Sequence, residues 1–144
     1  MTYINECCQS ILVVEDDDDI RTAMIDVLES EGYHATAATN GKEALDFLHQ
    51  SKKPCLVLLD MMMPIMNGRE FLDKVKEDTY LAPIPVLVVS AIADKTNTNG
   101  AVGFIKKPVD IDMVLKIVNR YCSDAMKSSG VPRSSGEEAQ RPRP

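Results

Sequence analysis

The sequence predicts an α/β domain: a parallel sheet covered by helices on both faces. Three observations lead there. Short apolar runs alternate along the chain with longer stretches of helical periodicity. Those runs are continuously apolar, as strands buried on both faces are, rather than alternating as half-solvated strands do. At 144 residues and 44% apolar composition, the chain suits one domain with a substantial core.

"ILVV" (11–14) is β-branched and reads as the first strand. The segment that follows places Ile20, Met24, Val27 and Leu28 at i, i+4, i+7 and i+8, one helical face. Asp17, Asp18 and Asp19 supply acid where a helix N-terminus favours it, and Gly32 is a stop signal. "YHATAAT" (33–39) is a weaker second strand, and "NGKEALDFLHQ" a helix with Ala44, Leu45 and Leu48 inward. "CLVLL" (55–59) is the most apolar strand and belongs at the centre of the sheet. "REFLDKVKED" (69–78) is helical, with Phe71, Leu72 and Val75 on one side. "IPVLVV" (84–89) is the fourth strand, with its proline near the start, where a missing donor does least harm. "VGFI" (102–105) is the fifth. The span 109–126 is a final helix carrying Ile111, Val114, Leu115, Val118 and Cys122 on one stripe.

The formal net charge of −6 argues against a bare nucleic-acid binder, which would present a basic face. No apolar stretch is long enough to span a bilayer, and "MTYINECCQS" lacks the basic start and apolar block of a signal peptide. The expected address is the cytoplasm. The spacing of Cys7, Cys8, Cys55 and Cys122 fits no zinc pattern, so ordinary reduced thiols are expected.

Ligands of open α/β sheets sit beyond the carboxyl ends of the strands. Strand one ends in Glu15-Asp16, strand three in Asp60, strand four in Ser90 and strand five in Lys106-Lys107. Parallel strands carry all of these tips to one edge. Two carboxylates about 4 Å apart repel by roughly 4 kcal/mol at an effective dielectric near 20, so three acids need a counter-charge. Hard oxygen ligands and no histidine cluster favour Mg²⁺ over zinc or copper. Met61, Met62, Met63 and Met66 read as adaptable packing rather than a copper site. An acid at such a tip can act as nucleophile toward a phosphoryl donor, with cation, hydroxyl and ammonium holding the oxygens.

"ILVVEDD" with Ile20-Arg21, "LVLLDMMMPIMNG", "VLVVSA" and "GFIKKP" together resemble the four signature segments of the response-regulator receiver domain of two-component signalling, over about residues 10–125. The resemblance implies a doubly wound five-stranded parallel sheet in the order 2-1-3-4-5, an order for which receivers are a stock example. It implies that Asp60 is the phospho-acceptor. Asp16 then binds Mg²⁺ directly, Glu15 acts through water, and the backbone carbonyl of Met62 joins Asp60 in completing the protein ligands. Ser90 follows the phosphoryl group, Lys107 pairs with it, and Phe104 stands at the switch aromatic position. A cis bond between Lys107 and Pro108 belongs to the same pattern.

The chain departs from the family in one interval. Lys107 follows Ser90 by seventeen positions, too few for the helix that receivers carry between strands four and five. "DKTNTNG" (94–100) is also poor in helix formers. The expectation is that this fourth helix is missing or reduced to a turn, with a mobile loop over about 93–101. The expected layout is a tail over 1–9, a receiver over 10–126 and a disordered tail over 127–144.

The function implied is a stand-alone receiver. It is phosphorylated by a histidine kinase or a histidine phosphotransfer protein, and it signals to a downstream protein target. It needs no direct nucleic acid and no membrane insertion, and it catalyses only its own phosphoryl transfer and dephosphorylation. A receiver-like binding module that no longer switches is the alternative. A phosphohydrolase with an aspartate nucleophile is disfavoured, because Met62 stands where those enzymes place a second acid.

Overall fold

The computed structural model describes residues 10–128, with side chains described through Cys122. The tail expected over 1–9, with Cys7 and Cys8, and the stretch from residue 129 lie outside the described residues. The elements in order are β1 (Ser10–Val14), α1 (Asp18–Ser30), β2 (His34–Ala38), α2 (Gly41–Gln50), β3 (Leu56–Leu59), α3 (Gly68–Glu77), β4 (Val86–Ser90), β5 (Gly103–Lys106) and α4 (Ile111–Ser128). The strands form one parallel sheet in the order β2-β1-β3-β4-β5.

β1, β3 and β4 are central and buried on both faces apart from the half-buried Ser10, which explains their unbroken apolar character. Alternate residues serve two cores. Leu12, Val14, Val57, Leu59, Val86 and Val88 pack with α2 and α3 through Ala44, Leu48, Phe71, Leu72 and Val75. Ile11, Val13, Leu56, Leu58, Leu87 and Val89 pack with α1 and α4 through Met24, Leu28, Val114, Val118 and Cys122.

The helix signals act as read. Asp17 caps α1 by accepting from the Ile20 amide at 3.0 Å, and Asp18 and Asp19 fill its first turn. α1 ends in a Schellman motif: Gly32 N–H donates to Glu29 O at 3.0 Å and Tyr33 N–H to Leu28 O at 3.1 Å, with Gly32 at φ 94°. Asn67 and Glu70 form a capping box on α3. α4 starts at Ile111 and continues through Ser128, two residues beyond the expected end.

Between β4 and β5 the chain makes turns and bends and no helix, so four helices cover the sheet among the described residues. The twelve residues from Ala91 to Val102 are about the least that a parallel crossover needs. The segment is not loose in its bonding. Its backbone and side-chain groups find partners among themselves and on α3, as set out below.

Candidate functional site

Each predicted tip residue leaves its strand by the route the sheet dictates. Glu15 follows β1, and its N–H donates to Ala38 O of β2 at 3.0 Å. Asp60 follows β3, held by its N–H to Val14 O at 3.0 Å. The register therefore locks the backbones of Glu15 and Asp60 to neighbouring strands before any side chain is considered. Carboxylate oxygens of Glu15, Asp16 and Asp60 all lie within 4.8 Å of one another. Glu15 and Asp60 are buried, whereas Asp16 is exposed.

Lys107 closes the group. Its Nζ lies 2.8 Å from Glu15 Oε1 and 3.8 Å from Asp60 Oδ1. Lys106 points outward and is exposed, as the two-residue strand period requires. The Lys107–Pro108 bond is cis. Asp60 Oδ1 also accepts from the Met61 N–H at 2.8 Å, and Glu15 Oε2 accepts from the Asp17 N–H at 3.2 Å. Burial pushes the Glu15 carboxyl above its ordinary range; the Lys107 ammonium opposes this, and the Asp60 charge adds to it. A buried acid that one lysine incompletely compensates is what an added cation would relieve.

Ser90 ends β4, fully buried, and its Oγ has no hydrogen-bond partner. Its carbonyl accepts from Lys107 N–H at 3.2 Å, which ties together the two strand ends that carry the hydroxyl and the ammonium. A hydroxyl left without a partner in a packed interior costs free energy, so this group is free to accept one. Phe104 is half-buried and packs against the core on the α2/α3 side. Met62 lies two residues past Asp60 with its side chain 60% exposed.

Three supporting features were given no role of their own from the sequence. Arg21 Nη1 donates to Glu15 O at 2.9 Å while its other arm pairs with Asp18, fixing the turn that carries the acids. Its signal was an arginine one helical turn past an acid cluster. Gly68 packs onto the Asp60 turn so closely that a Cβ there would sit 2.5 Å from Asp60 O and 2.7 Å from Met61 Cα. Ile65 adopts φ 69° within a γ-turn closed by Met66 N–H to Pro64 O at 2.7 Å. Met66 O then accepts from Gly41 N–H at 2.9 Å, tying this turn to the start of α2.

A two-core parallel sheet whose carboxyl edge gathers three acids, a lysine and an orphan hydroxyl defines a receiver. The chain belongs to the response regulator receiver domain family, whose model matches residues 11–119. Among its relatives is the polar-differentiation response regulator DivK of Brucella anthropi, 31% identical over 122 residues that cover 81% of this chain and 98% of that protein. The receiver domain of Francisella response regulator 1452 superposes with a TM-score of 0.72 at 28% identity, covering 81% of this chain and 98% of its own. The Thermotoga maritima response regulator TrrA, solved in complex with Mg²⁺-BeF, superposes at 0.71 with 26% identity, covering 78% and 98%. Among the described residues no helix is long and apolar enough to cross a membrane.

Proposed function

We propose that this chain is a phosphorylation-switched signalling protein of a two-component or phosphorelay pathway, with Asp60 as the acceptor. The observation that carries the reading is the Glu15–Asp16–Asp60 carboxylate cluster facing Lys107 at 2.8 and 3.8 Å. A carboxylate oxygen of Asp60 attacks the phosphorus of a phosphohistidine on a kinase or phosphotransfer protein. The P–N bond breaks, the electron pair stays on the imidazole, and an acyl phosphate forms. Water later attacks the same phosphorus and returns the carboxylate and inorganic phosphate. No other catalytic activity is assigned.

Asp16, Asp60 and the Met62 carbonyl, with Glu15 nearby, would hold Mg²⁺. Their all-oxygen donor set and the raised Glu15 carboxyl fit that ion. When bound, the ion neutralises charge on the transferring phosphoryl oxygens. Lys107 keeps the acids compact and pairs with the product. The buried Ser90 hydroxyl acquires the partner it lacks, and Phe104 follows its movement. The new group adds roughly −1.5 to −2 charges and biases a pre-existing equilibrium between two surfaces. Readout is by a protein target in the cytoplasm, without direct nucleic-acid contact.

Incubation with acetyl phosphate and Mg²⁺ tests this. Intact mass should rise by one phosphoryl group, and the gain should vanish in Asp60→Asn and in excess EDTA. No gain in the wild type overturns the reading. The helix-free β4–β5 segment, together with a switch aromatic that has no hydroxyl, favours a second reading, a receiver-like module that binds constitutively. Equal capture of a target by wild type and Asp60→Ala would select it.

A further inference from the structure

The segment that replaces the missing helix is held by side chains that the phosphorylation site does not use. Arg69, in the first turn of α3, donates from Nη1 to Asn97 O at 3.0 Å and from Nη2 to Asn99 O at 2.9 Å. Asp73, one turn along, steadies the guanidinium by accepting at Oδ1 from Nε at 3.2 Å and from Nη2 at 2.7 Å. The loop is itself knotted around Asp94. That carboxylate accepts from the Thr96 hydroxyl at 2.6 Å, the Thr96 amide at 2.8 Å and the Asn97 amide at 2.9 Å. These bonds, the hydroxyl first, hold the Asp94 carboxyl below its ordinary range. Asn97 Oδ1 accepts from the Asp94 amide at 2.9 Å, and its Nδ2 donates to Ile92 O at 2.6 Å. The buried Thr98 hydroxyl donates to Asp94 O at 2.7 Å. With no helix ladder available, this set pairs the amides of Asp94, Thr96 and Asn97 and the carbonyls of Ile92, Asp94, Asn97 and Asn99.

The two ends of this bridge matter. The loop starts as a turn on Ser90, with Ala93 N–H donating to Ser90 O at 3.4 Å. Arg69 follows Gly68, whose N–H donates to Met61 O at 3.0 Å beside Asp60. One guanidinium thus joins the chain leaving the acceptor to the chain leaving the buried hydroxyl. A planar fork with several donors suits two carbonyls at once, and a point-charge ammonium does not.

We infer that Arg69 is a positioning residue of the switch: its clamp on Asn97 and Asn99 couples the β4–β5 loop to the Asp60 turn, so that the phosphorylation state is read out in that loop. The inference rests on phosphorylation of Asp60 as proposed above. A rigid knot attached at both ends moves as a body when Ser90 moves, where an unanchored loop of this composition absorbs the movement.

Hydrogen exchange with mass spectrometry on the full chain tests it, with and without acetyl phosphate and Mg²⁺, on wild type, Arg69→Ala and Arg69→Lys. Without phosphorylation, Arg69→Ala should raise exchange in residues 92–102 by about tenfold or more, the scale of two lost charge-assisted bonds, with β1 and α4 unchanged. Arg69→Lys should fall between. On phosphorylation the wild-type loop should change its exchange, whereas phosphorylated Arg69→Ala should show no further change there. Unaltered loop exchange in unphosphorylated Arg69→Ala overturns the clamp. A phosphorylation-induced loop change of wild-type size in Arg69→Ala overturns the coupling, as does a phosphorylated wild type whose loop does not respond. A wild type that takes up no phosphoryl group fails the phosphorylation reading itself, and the coupling falls with it.

Discussion

Replacing Lys107 with methionine removes one charge while keeping most of the side chain's volume. The ammonium stands 2.8 Å from Glu15 Oε1 and 3.8 Å from Asp60 Oδ1, with the lysine side chain only 17% exposed and both acids 7%. At an effective dielectric near 20, each contact represents roughly 4–6 kcal/mol of Coulomb attraction. The net loss is smaller, because burying the ammonium cost desolvation energy and because Glu15 can take up a proton. Breaking a buried pair costs about 3–5 kcal/mol when the remaining charge has no escape, so with that escape we expect about 2–3 kcal/mol at pH 7.5 without metal. That corresponds to a fall in Tm of roughly 8–12 °C. The pH dependence carries the diagnosis. Glu15 titrates above its ordinary value in the folded protein, so between the unfolded and folded values the native state holds the extra proton. Stability then falls as pH rises through that window, and Lys107→Met should steepen the fall. Urea titrations at pH 5.5 and 7.5 with EDTA should therefore give a smaller defect at the lower pH. Mg²⁺ should stabilise the variant more than the wild type. A defect that is constant with pH, or larger at pH 5.5, would refute the crowded-carboxylate argument.

Gly68→Ala should cost about 2–3 kcal/mol by urea titration, since its Cβ meets two backbone atoms of the Asp60 turn that cannot swing aside. The folded fraction should also accept phosphate from acetyl phosphate more slowly. Ser90→Ala deletes a buried hydroxyl without a partner, so unphosphorylated stability should be unchanged or higher by up to about 1 kcal/mol, while the phosphorylation rate or lifetime changes. Ile65→Gly relieves a β-branched residue at φ 69° and should raise the denaturation midpoint by about 0.5–1 kcal/mol equivalent.

Much of the architecture was legible because the physics that sets it is local. Continuous apolar runs such as Leu56–Leu59, short and set between turn signals, fit central strands, and Asp17, Gly32 and Asn67 mark helix ends by their own hydrogen bonding. The site was legible for a related reason. Glu15, Asp60, Ser90 and Lys107 stand at or just past strand ends, and parallel register converts that sequence position into spatial proximity. Strand order was not readable from periodicity and came only with the family resemblance. Arg69 and Arg21 were given no role because each acts on backbone carbonyls, Asn97 and Asn99 in one case and Glu15 in the other. A carbonyl carries no side-chain identity, so no pairing of residue types announces such a contact. The close approach of Gly68 to Asp60 was hidden likewise, since a glycine in "MNG" reads first as a turn.

The lost helix and the intact site are compatible for a structural reason. Glu15, Asp60, Ser90 and Lys107 are placed by β1, β3, β4 and β5 and by the bonds at their ends, not by the segment between β4 and β5. The short segment leaves the carboxylate cluster and Lys107 together and offers no helical surface there. What it must still do is bring β5 parallel to β4 within twelve residues and leave no buried backbone group unpaired. Asp94, Asn97, Thr98 and Arg69 meet that demand with side-chain bonds where a helix would use its own ladder. The composition that makes "DKTNTNG" a poor helix is thus the composition its replacement needs: short polar side chains that close turns on neighbouring backbone.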